Sequence, residues 1–214
     1  MFRKTLIFFI SATLLCSTAF AETLVIDAGH GGADGGASTA DGVCESTINL
    51  EIAQKLEAVA GLLGIDTVMT RETEEIAYPE EADTIAKKKV FDQKSRVSLI
   101  NSVDEAVLIS IHQNKYPDSR PNGAQALYGK PDGSMEFGEL MHQNLTDCLC
   151  PDNRRVAAPI SDDIYLMRSV ECPSVLVECG FLSNPEEASK LQTKDYQIKL
   201  AVVLAASFIQ FIRQ

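Results

Sequence analysis

Apolar residues fall into two patterns along the chain, and together these predict alternating strands and helices. Near-continuous apolar runs are typical of buried strands. Such runs occur at 23–28, 65–70, 107–112, 124–128 and 174–178. The strands are separated by longer segments that carry a helical period, and this alternation is typical of an α/β domain.

The helical segments show apolar residues at spacings of three and four. In the first of them the apolar face consists of Ile48, Ile52, Leu56, Val59 and Leu63. Gly64 follows at the position where glycine commonly ends a helix. Further helices are predicted over 87–102, 135–149 and 196–212.

The segment "SNPEEASKL" predicts one more helix from its start signals. Asn184 suits the N-cap, Pro185 the first helical position and Glu187 the third. Residues 71–86 are acidic without a period and predict a loop, and 164–167 predict a short strand. The expected fold is a single α/β domain with a central, mostly parallel β-sheet flanked by helices.

The first 21 residues have the features of an export signal. "MFRKTLIFFISATLLCSTAFA" has two basic residues, an apolar run of about ten residues and a final Ala-x-Ala. We therefore expect 1–21 to be a signal peptide and 22–214 to be an exported catalytic domain with no stable membrane span. Retention of the segment as an anchor is the alternative.

Charge and cysteine content narrow the range of partners and redox states. Removal of 1–21 takes away two positive charges and changes the net charge from −11 to −13. Such an acidic chain is not expected to bind nucleic acid. Five of the six cysteines remain after cleavage, so at least one cannot pair within the chain. We expect mostly reduced thiols, and the sequence also allows a single disulfide bond.

Ionisable residues stand at the carboxyl ends of three predicted strands. They are His30, His112 and Glu178. In open α/β sheets functional sites form outside the carboxyl ends of the strands, so these side chains are expected to converge at that edge. Two imidazoles with a carboxylate suit zinc, whose catalytic sites use three protein ligands and leave a fourth position for water.

Two carboxylates compete for roles at this edge, and the residues alone leave both open. Glu45 follows the glycine-rich loop and is either the third zinc ligand or a carboxylate at the positive end of a helix dipole. Glu178 is either half of a structural ion pair with an arginine or a general base beside the metal.

The glycine-rich loop "AGHGGADGG" does not match a phosphate-binding fingerprint. A dinucleotide site needs G-x-G-x-x-G directly between a strand and a helix. No register of this loop supplies all three glycines, and the next helix begins some ten residues too late. The glycines instead indicate an open, tightly turned backbone beside a metal site.

Several motifs occur together in an order that resembles one enzyme family, the zinc-dependent N-acetylmuramoyl-L-alanine amidases of amidase type 3. They are "VIDAGHGGADGG", "CESTINLEIAQKL", "TRE", "SRVSLIN", "ISIHQN" and "VLVECGFLSNPEEASKL". The resemblance covers nearly all of the chain after residue 23. It implies that His30, Glu45 and His112 hold Zn²⁺ and that Glu178 acts in catalysis. It also implies hydrolysis of the amide between N-acetylmuramic acid and L-alanine in peptidoglycan.

Two residues depart from the family pattern or compete with it. Gln113 replaces a small residue after "SIH", and Cys44 beside Glu45 is a rival zinc ligand. The short chain is similar to spore-cortex amidases of endospore formers, which help to form muramic-δ-lactam. The alternatives are a zinc peptidase that cuts within the stem peptide and an amidase-like protein that needs a protein activator.

Three further polar residues receive weaker expectations. Asn114 either shapes the substrate groove or caps a turn, and Arg71 either shapes the groove or forms a surface salt bridge. His142 lies within a predicted helix and is expected to be a surface or partly buried residue rather than a ligand.

Overall fold

The chain folds into a six-stranded, mostly parallel sheet flanked by helices. A computed structural model describes residues 21–214. The predicted signal peptide therefore lies almost entirely outside the described residues. The strands are β1 Thr23–Ala28, β2 Thr67–Met69, β3 Ala106–Asn114, β4 Gln125–Tyr128, β5 Ala158–Pro159 and β6 Ser174–Phe181. The helices are α1 Glu45–Leu62, α2 Ile85–Ile100, α3 Ser134–Leu149, α4 Tyr165–Ser169, α5 Pro185–Leu191 and α6 Lys194–Phe211.

The strand order places β1, β3 and β6, which carry the predicted site residues, side by side. The order is β2-β1-β3-β6-β4-β5, and the first four strands are mutually parallel. Strand β4 runs antiparallel to β6 and parallel to β5. His112 on β3 is the direct neighbour of Glu178 on β6. The predicted single α/β domain with a central, mostly parallel sheet flanked by helices is thus confirmed.

The two faces of the sheet carry unequal cores. The larger cluster packs α1, α3 and α6 against one face, with Ile52, Phe137 and Leu204 fully buried. The smaller cluster on the other face includes Leu166 and Met167 of α4. Apolar burial is the main stabilising contribution in such a domain, so α1, α3 and α6 provide most of it.

Helix α2 is attached to the smaller face by few buried side chains. Of its 16 residues only Arg96 and Ile100 are buried. Thr84 caps its start by accepting a hydrogen bond from the main-chain nitrogen of Lys87. The helix therefore depends on polar contacts more than the others do.

The structure corrects some predicted boundaries. The strand predicted over 164–167 is wrong, because 165–169 forms helix α4, which buries Leu166 and Met167. Strand β2 is shorter than 65–70, and β5 was not predicted. Among residues 21–214, no helix is both long and apolar enough to cross a membrane.

Candidate active site

His30 stands in a strained turn directly after β1. Its φ of 60° lies in the left-handed region, which residues other than glycine seldom adopt. Its ring nitrogen Nδ1 lies 2.9 Å from Oδ2 of Asp34, and Nε2 lies 3.4 Å from Oε2 of Glu45. One ring nitrogen thus has a carboxylate partner, and the other faces the carboxylate of the third predicted ligand.

Glu45 is the first residue of α1 and is almost completely buried. Its Oε2 accepts a 2.9 Å hydrogen bond from the main-chain nitrogen of Ala37, and Oε1 accepts one of 3.0 Å from that of Gln113. Burial alone would raise the pKa of Glu45. Hydrogen bonds and charge from His112 and His30 outweigh burial and hold this pKa well below its usual range. Glu45 is therefore ionised.

The three predicted ligands converge at one point. His112 on β3 directs Nδ1 to Oε1 of Glu45 at 3.1 Å. One ligand atom from each of His30, Glu45 and His112 lies within 4.8 Å of the others. Two imidazole nitrogens and an ionised carboxylate form a donor set that zinc accepts. Within the described chain, Cys44 is not a member of this group.

Two glycines leave the space that the cluster occupies. A Cβ on Gly36 would lie 2.6 Å from Oε2 of Glu45 and 2.8 Å from Cδ2 of His30. A Cβ on Gly29 would clash with the ring of His112. Any side chain at either position would displace a predicted ligand, so the glycines of this loop serve close packing around the cluster.

Glu178 lies beside the cluster without a partner for one of its oxygens. Its Oε2 is buried and has no hydrogen-bond partner. Burial raises the pKa of Glu178 to about 7. The charge of His112 acts to lower this pKa, and the charge of Glu45 acts to raise it. Among the described residues no arginine forms an ion pair with Glu178, so the alternative of a structural ion pair is not supported.

Arg71 has a role that the sequence did not indicate. It is buried and donates hydrogen bonds to the main-chain oxygens of Ala28, Gly29 and Ser46. The alternative of a surface salt bridge holds in part, because Arg71 also lies 3.8 Å from the carboxylate of Glu74, although the arginine itself is buried. Arg71 joins the end of β1 to the start of α1, and these two elements carry His30 and Glu45.

Arg96 is a second buried arginine that the sequence analysis did not single out. It reaches from α2 to Oδ1 of Asp27 at 2.9 Å, and to the main-chain oxygens of Ala28 and His30 at 2.6 Å each. The signal available in the sequence was Asp27 itself. A carboxylate inside an apolar strand needs a buried partner.

The remaining weaker expectations have mixed outcomes. Asn114 lines the cleft, and its main-chain oxygen accepts a 2.8 Å hydrogen bond from Leu182. His142 is more buried than expected, and its Nε2 donates to the main-chain oxygen of Arg155 at 2.7 Å. It lies outside the metal-binding group. All five cysteines of residues 21–214 are free.

The cluster opens into a cleft of about 450 Å³. Its lining includes the polar side chains His30, Glu45, His112 and Glu178 and the apolar side chains Leu166, Met167 and Leu176. This size and mixture of polar and apolar groups are typical of a site for an organic substrate.

Comparison with known proteins decides the family. The family described as N-acetylmuramoyl-L-alanine amidase matches residues 24–210. The chain belongs to this amidase family. Among curated relatives, the germination-specific N-acetylmuramoyl-L-alanine amidase of Bacillus subtilis is 33% identical over 194 residues, which cover 90% of this chain and 81% of the relative.

Solved amidase structures share the whole fold. The CwlD amidase from Clostridioides difficile, solved in complex with the GerS lipoprotein, is 34% identical with a TM-score of 0.85 and covers 90% of this chain and 98% of its own. An N-acetylmuramoyl-L-alanine amidase from Clostridium difficile 630 is 26% identical with a TM-score of 0.79, covering 91% and 98% of the two chains. The amidase fold is therefore present over nearly its full length.

Proposed function

We propose that this amidase hydrolyses the amide bond between N-acetylmuramic acid and the L-alanine of the peptidoglycan stem peptide, with zinc as its cofactor. One observation carries the proposal. An ionised Glu45 and two imidazoles form a group with the donor set of a catalytic zinc site, and the unpartnered Glu178 lies in the same cleft. Family membership supports the choice of the scissile bond.

The side chains divide the work between holding and moving a proton. His30, Glu45 and His112 would hold the metal through the nitrogen and oxygen atoms that face one another. When bound there, zinc would lower the pKa of a coordinated water and polarise the carbonyl of the amide. Glu178 accepts the proton of the attacking water at its carboxylate and passes it to the departing nitrogen of L-alanine.

The state of Glu178 suits this task. With a pKa raised to about 7, the carboxyl can both accept and release a proton near neutral pH. Its Oε2 has no competing hydrogen bond that a proton transfer would have to break. Leu166, Met167 and Leu176 make part of the same cleft apolar.

Metal analysis and digestion of purified muropeptides test the proposal. The purified protein should contain about one zinc per chain. Glu178→Ala should keep the metal and lose amidase activity, whereas His112→Ala should bind zinc more weakly. Full activity of Glu178→Ala, or undiminished zinc affinity of His112→Ala, would contradict the assignment.

The same digest separates the amidase from a zinc peptidase. Mass spectrometry of the products should find muramic acid with a free lactyl carboxyl group and an intact stem peptide that begins with L-alanine. Products cut within the stem peptide would instead identify a peptidase.

Export, a role in the spore cortex and a protein activator complete the proposal. The germination-specific relative supports the cortex role, in which the amidase prepares muramic-δ-lactam. The CwlD structure, solved with a lipoprotein, supports a protein partner. Activity and zinc content of the isolated chain should rise when such a partner is added; full activity of the isolated chain would argue against an activator.

A further inference from the structure

His30 is the predicted ligand whose position depends most on its neighbours. Its side chain is 23% exposed, against 20% for His112 and 4% for Glu45. Its backbone has the unfavourable φ of 60°. A left-handed residue in a glycine-rich turn keeps its orientation only where surrounding contacts fix it.

Asp34 supplies the contact that fixes the ring. Its Oδ2 lies 2.9 Å from Nδ1 of His30, which is the nitrogen turned away from Glu45. The main chain of Asp34 also exchanges hydrogen bonds of 2.8 and 3.0 Å with Gly31. A hydrogen bond to one ring nitrogen sets the tautomer and leaves the other nitrogen free to ligate a metal.

Lys89 of α2 holds the same oxygen of Asp34. Its Nζ lies 2.9 Å from Oδ2, so the carboxylate lies between an ammonium and an imidazole. Oδ2 of Asp34 is therefore within hydrogen-bond distance of both Lys89 and His30. The side chain of Asp34 is only 22% exposed, which limits competition from water.

Two residues of one helix therefore reach His30 from different sides. Arg96 donates to its main-chain oxygen at 2.6 Å, and Lys89 acts on its ring through Asp34. Positions 89 and 96 are seven residues apart and lie on one face of α2. The helix thus constrains both the backbone and the side chain of this predicted ligand.

We propose that Asp34 and Lys89 form a positioning pair that sets the ring orientation and tautomer of His30, and with it the zinc affinity of the site. The inference rests on the proposed zinc centre. Neither residue is assigned a part in the chemical step. Their effect is on metal binding and on the geometry of the bound metal.

Zinc affinity measured by chelator competition tests the pair without reference to activity. Asp34→Asn should weaken zinc binding by about 10- to 100-fold, the usual effect of removing a carboxylate partner of a ligating histidine. Lys89→Met should weaken it by about two- to fivefold, as expected of a half-exposed ion pair, and Lys89→Arg should restore most of the loss. The visible spectrum of the cobalt-substituted protein should change with Asp34→Asn.

Lys87→Met is the matched control on the same helix. Lys87 forms an exposed ion pair with Asp83 rather than with Asp34, so its loss should leave zinc affinity unchanged. Thermal unfolding of the metal-free variants separates loss of fold from loss of metal. Because Lys89 acts through Asp34, Lys89→Met should have no further effect on affinity in the Asp34→Asn background.

The outcomes distinguish this inference from the proposed function. If the parent binds zinc and Asp34→Asn binds it equally tightly with an unchanged cobalt spectrum, the positioning pair is wrong while the zinc amidase stands. An additive effect of Lys89→Met in the Asp34→Asn background would also overturn the link. A parent protein that binds no zinc would overturn the metal centre, and the pair with it.

Discussion

Glu45 and Glu178 are two buried carboxylates at the same edge of one sheet, yet their surroundings give them opposite properties. Both oxygens of Glu45 have hydrogen-bond donors, and its pKa is held well below its usual range. Glu178 has one oxygen without a partner, and burial raises its pKa to about 7.

The difference shows how one fold can suit the same side-chain type to two different roles. Hydrogen bonds and charge from His112 and His30 keep Glu45 ionised, and main-chain N–H groups of Ala37 and Gln113 hold its two oxygens in place, which suits a metal ligand. One oxygen of Glu178 accepts no hydrogen bond and is free to take up a proton, which suits a general base. Environments that move two pKa values apart are a general route to such a division of labour.

Exchange of each carboxyl for an amide gives the largest expected effects. Glu178→Gln should lower kcat by about 10²- to 10⁴-fold, the usual contribution of a general base, with zinc retained. Glu45→Gln should lower zinc affinity by more than roughly 100-fold, which is the upper end of the range for residues that only hydrogen-bond to a metal ligand. Isothermal titration and muropeptide turnover measure the two effects. Equal zinc loss in both variants would abolish the contrast.

A third carboxylate, Asp27, extends the comparison to a fully paired case with a smaller effect. Burial alone would raise its pKa, but the charge of Arg96 and a hydrogen bond from Ser110 lower it below 3.8. Asp27→Asn should destabilise the protein by about 3 kcal/mol at pH 7, since it leaves a buried guanidinium with one partner fewer.

The sign of its pH dependence follows from the lowered pKa. A folded-state pKa below the unfolded value gives stability that is present above about pH 3.8 and lost as the pH falls through the folded pKa. The difference in unfolding free energy between parent and Asp27→Asn should therefore shrink below pH 3.8. Urea unfolding at pH 7 and pH 3 measures it, and a constant difference would contradict the pairing.

Substitution of Gly36 gives the smallest expected effect. It tests whether the position of the Glu45 carboxylate depends on the space that this glycine leaves. Gly36→Ala should weaken zinc binding by about tenfold or more, because its Cβ would lie 2.6 Å from the carboxylate. Gly42→Ala is the control: Gly42 also has a positive φ, of 89°, but no atom lies within 4 Å of its Cβ position. It should cost about 1–2 kcal/mol of stability and leave zinc affinity unchanged.

Strand ends and helix periods carried most of the fold prediction. The rule that sites lie at the carboxyl ends of parallel strands placed His30, His112 and Glu178 together before any contact was known. The helix start at Asn184 was predicted as it occurs, because its side chain accepts from the main-chain nitrogens of Glu186 and Glu187. Each of these signals depends on residues that are close together in the chain, so it can be recognised from the sequence alone.

Tertiary contacts account for the predictions that failed or could not be made. Residues 164–167 were read as a strand because a short apolar run does not distinguish a strand from a buried helix turn. The assignment of Glu45 stayed open because the return of the loop to the sheet edge depends on Arg71 and Gly36. The link from Lys89 to Asp34 spans 55 positions, and no local pattern indicates it.

The sparse burial of α2 has a consequence for local unfolding. Arg96 and Ile100 are its only buried residues, whereas α1 and α6 each lie in the larger core. Segments with few buried apolar side chains open with a lower free energy than the rest of a domain. Helix α2 is therefore expected to exchange its amide hydrogens before α1 and α6, and each opening releases the backbone of His30.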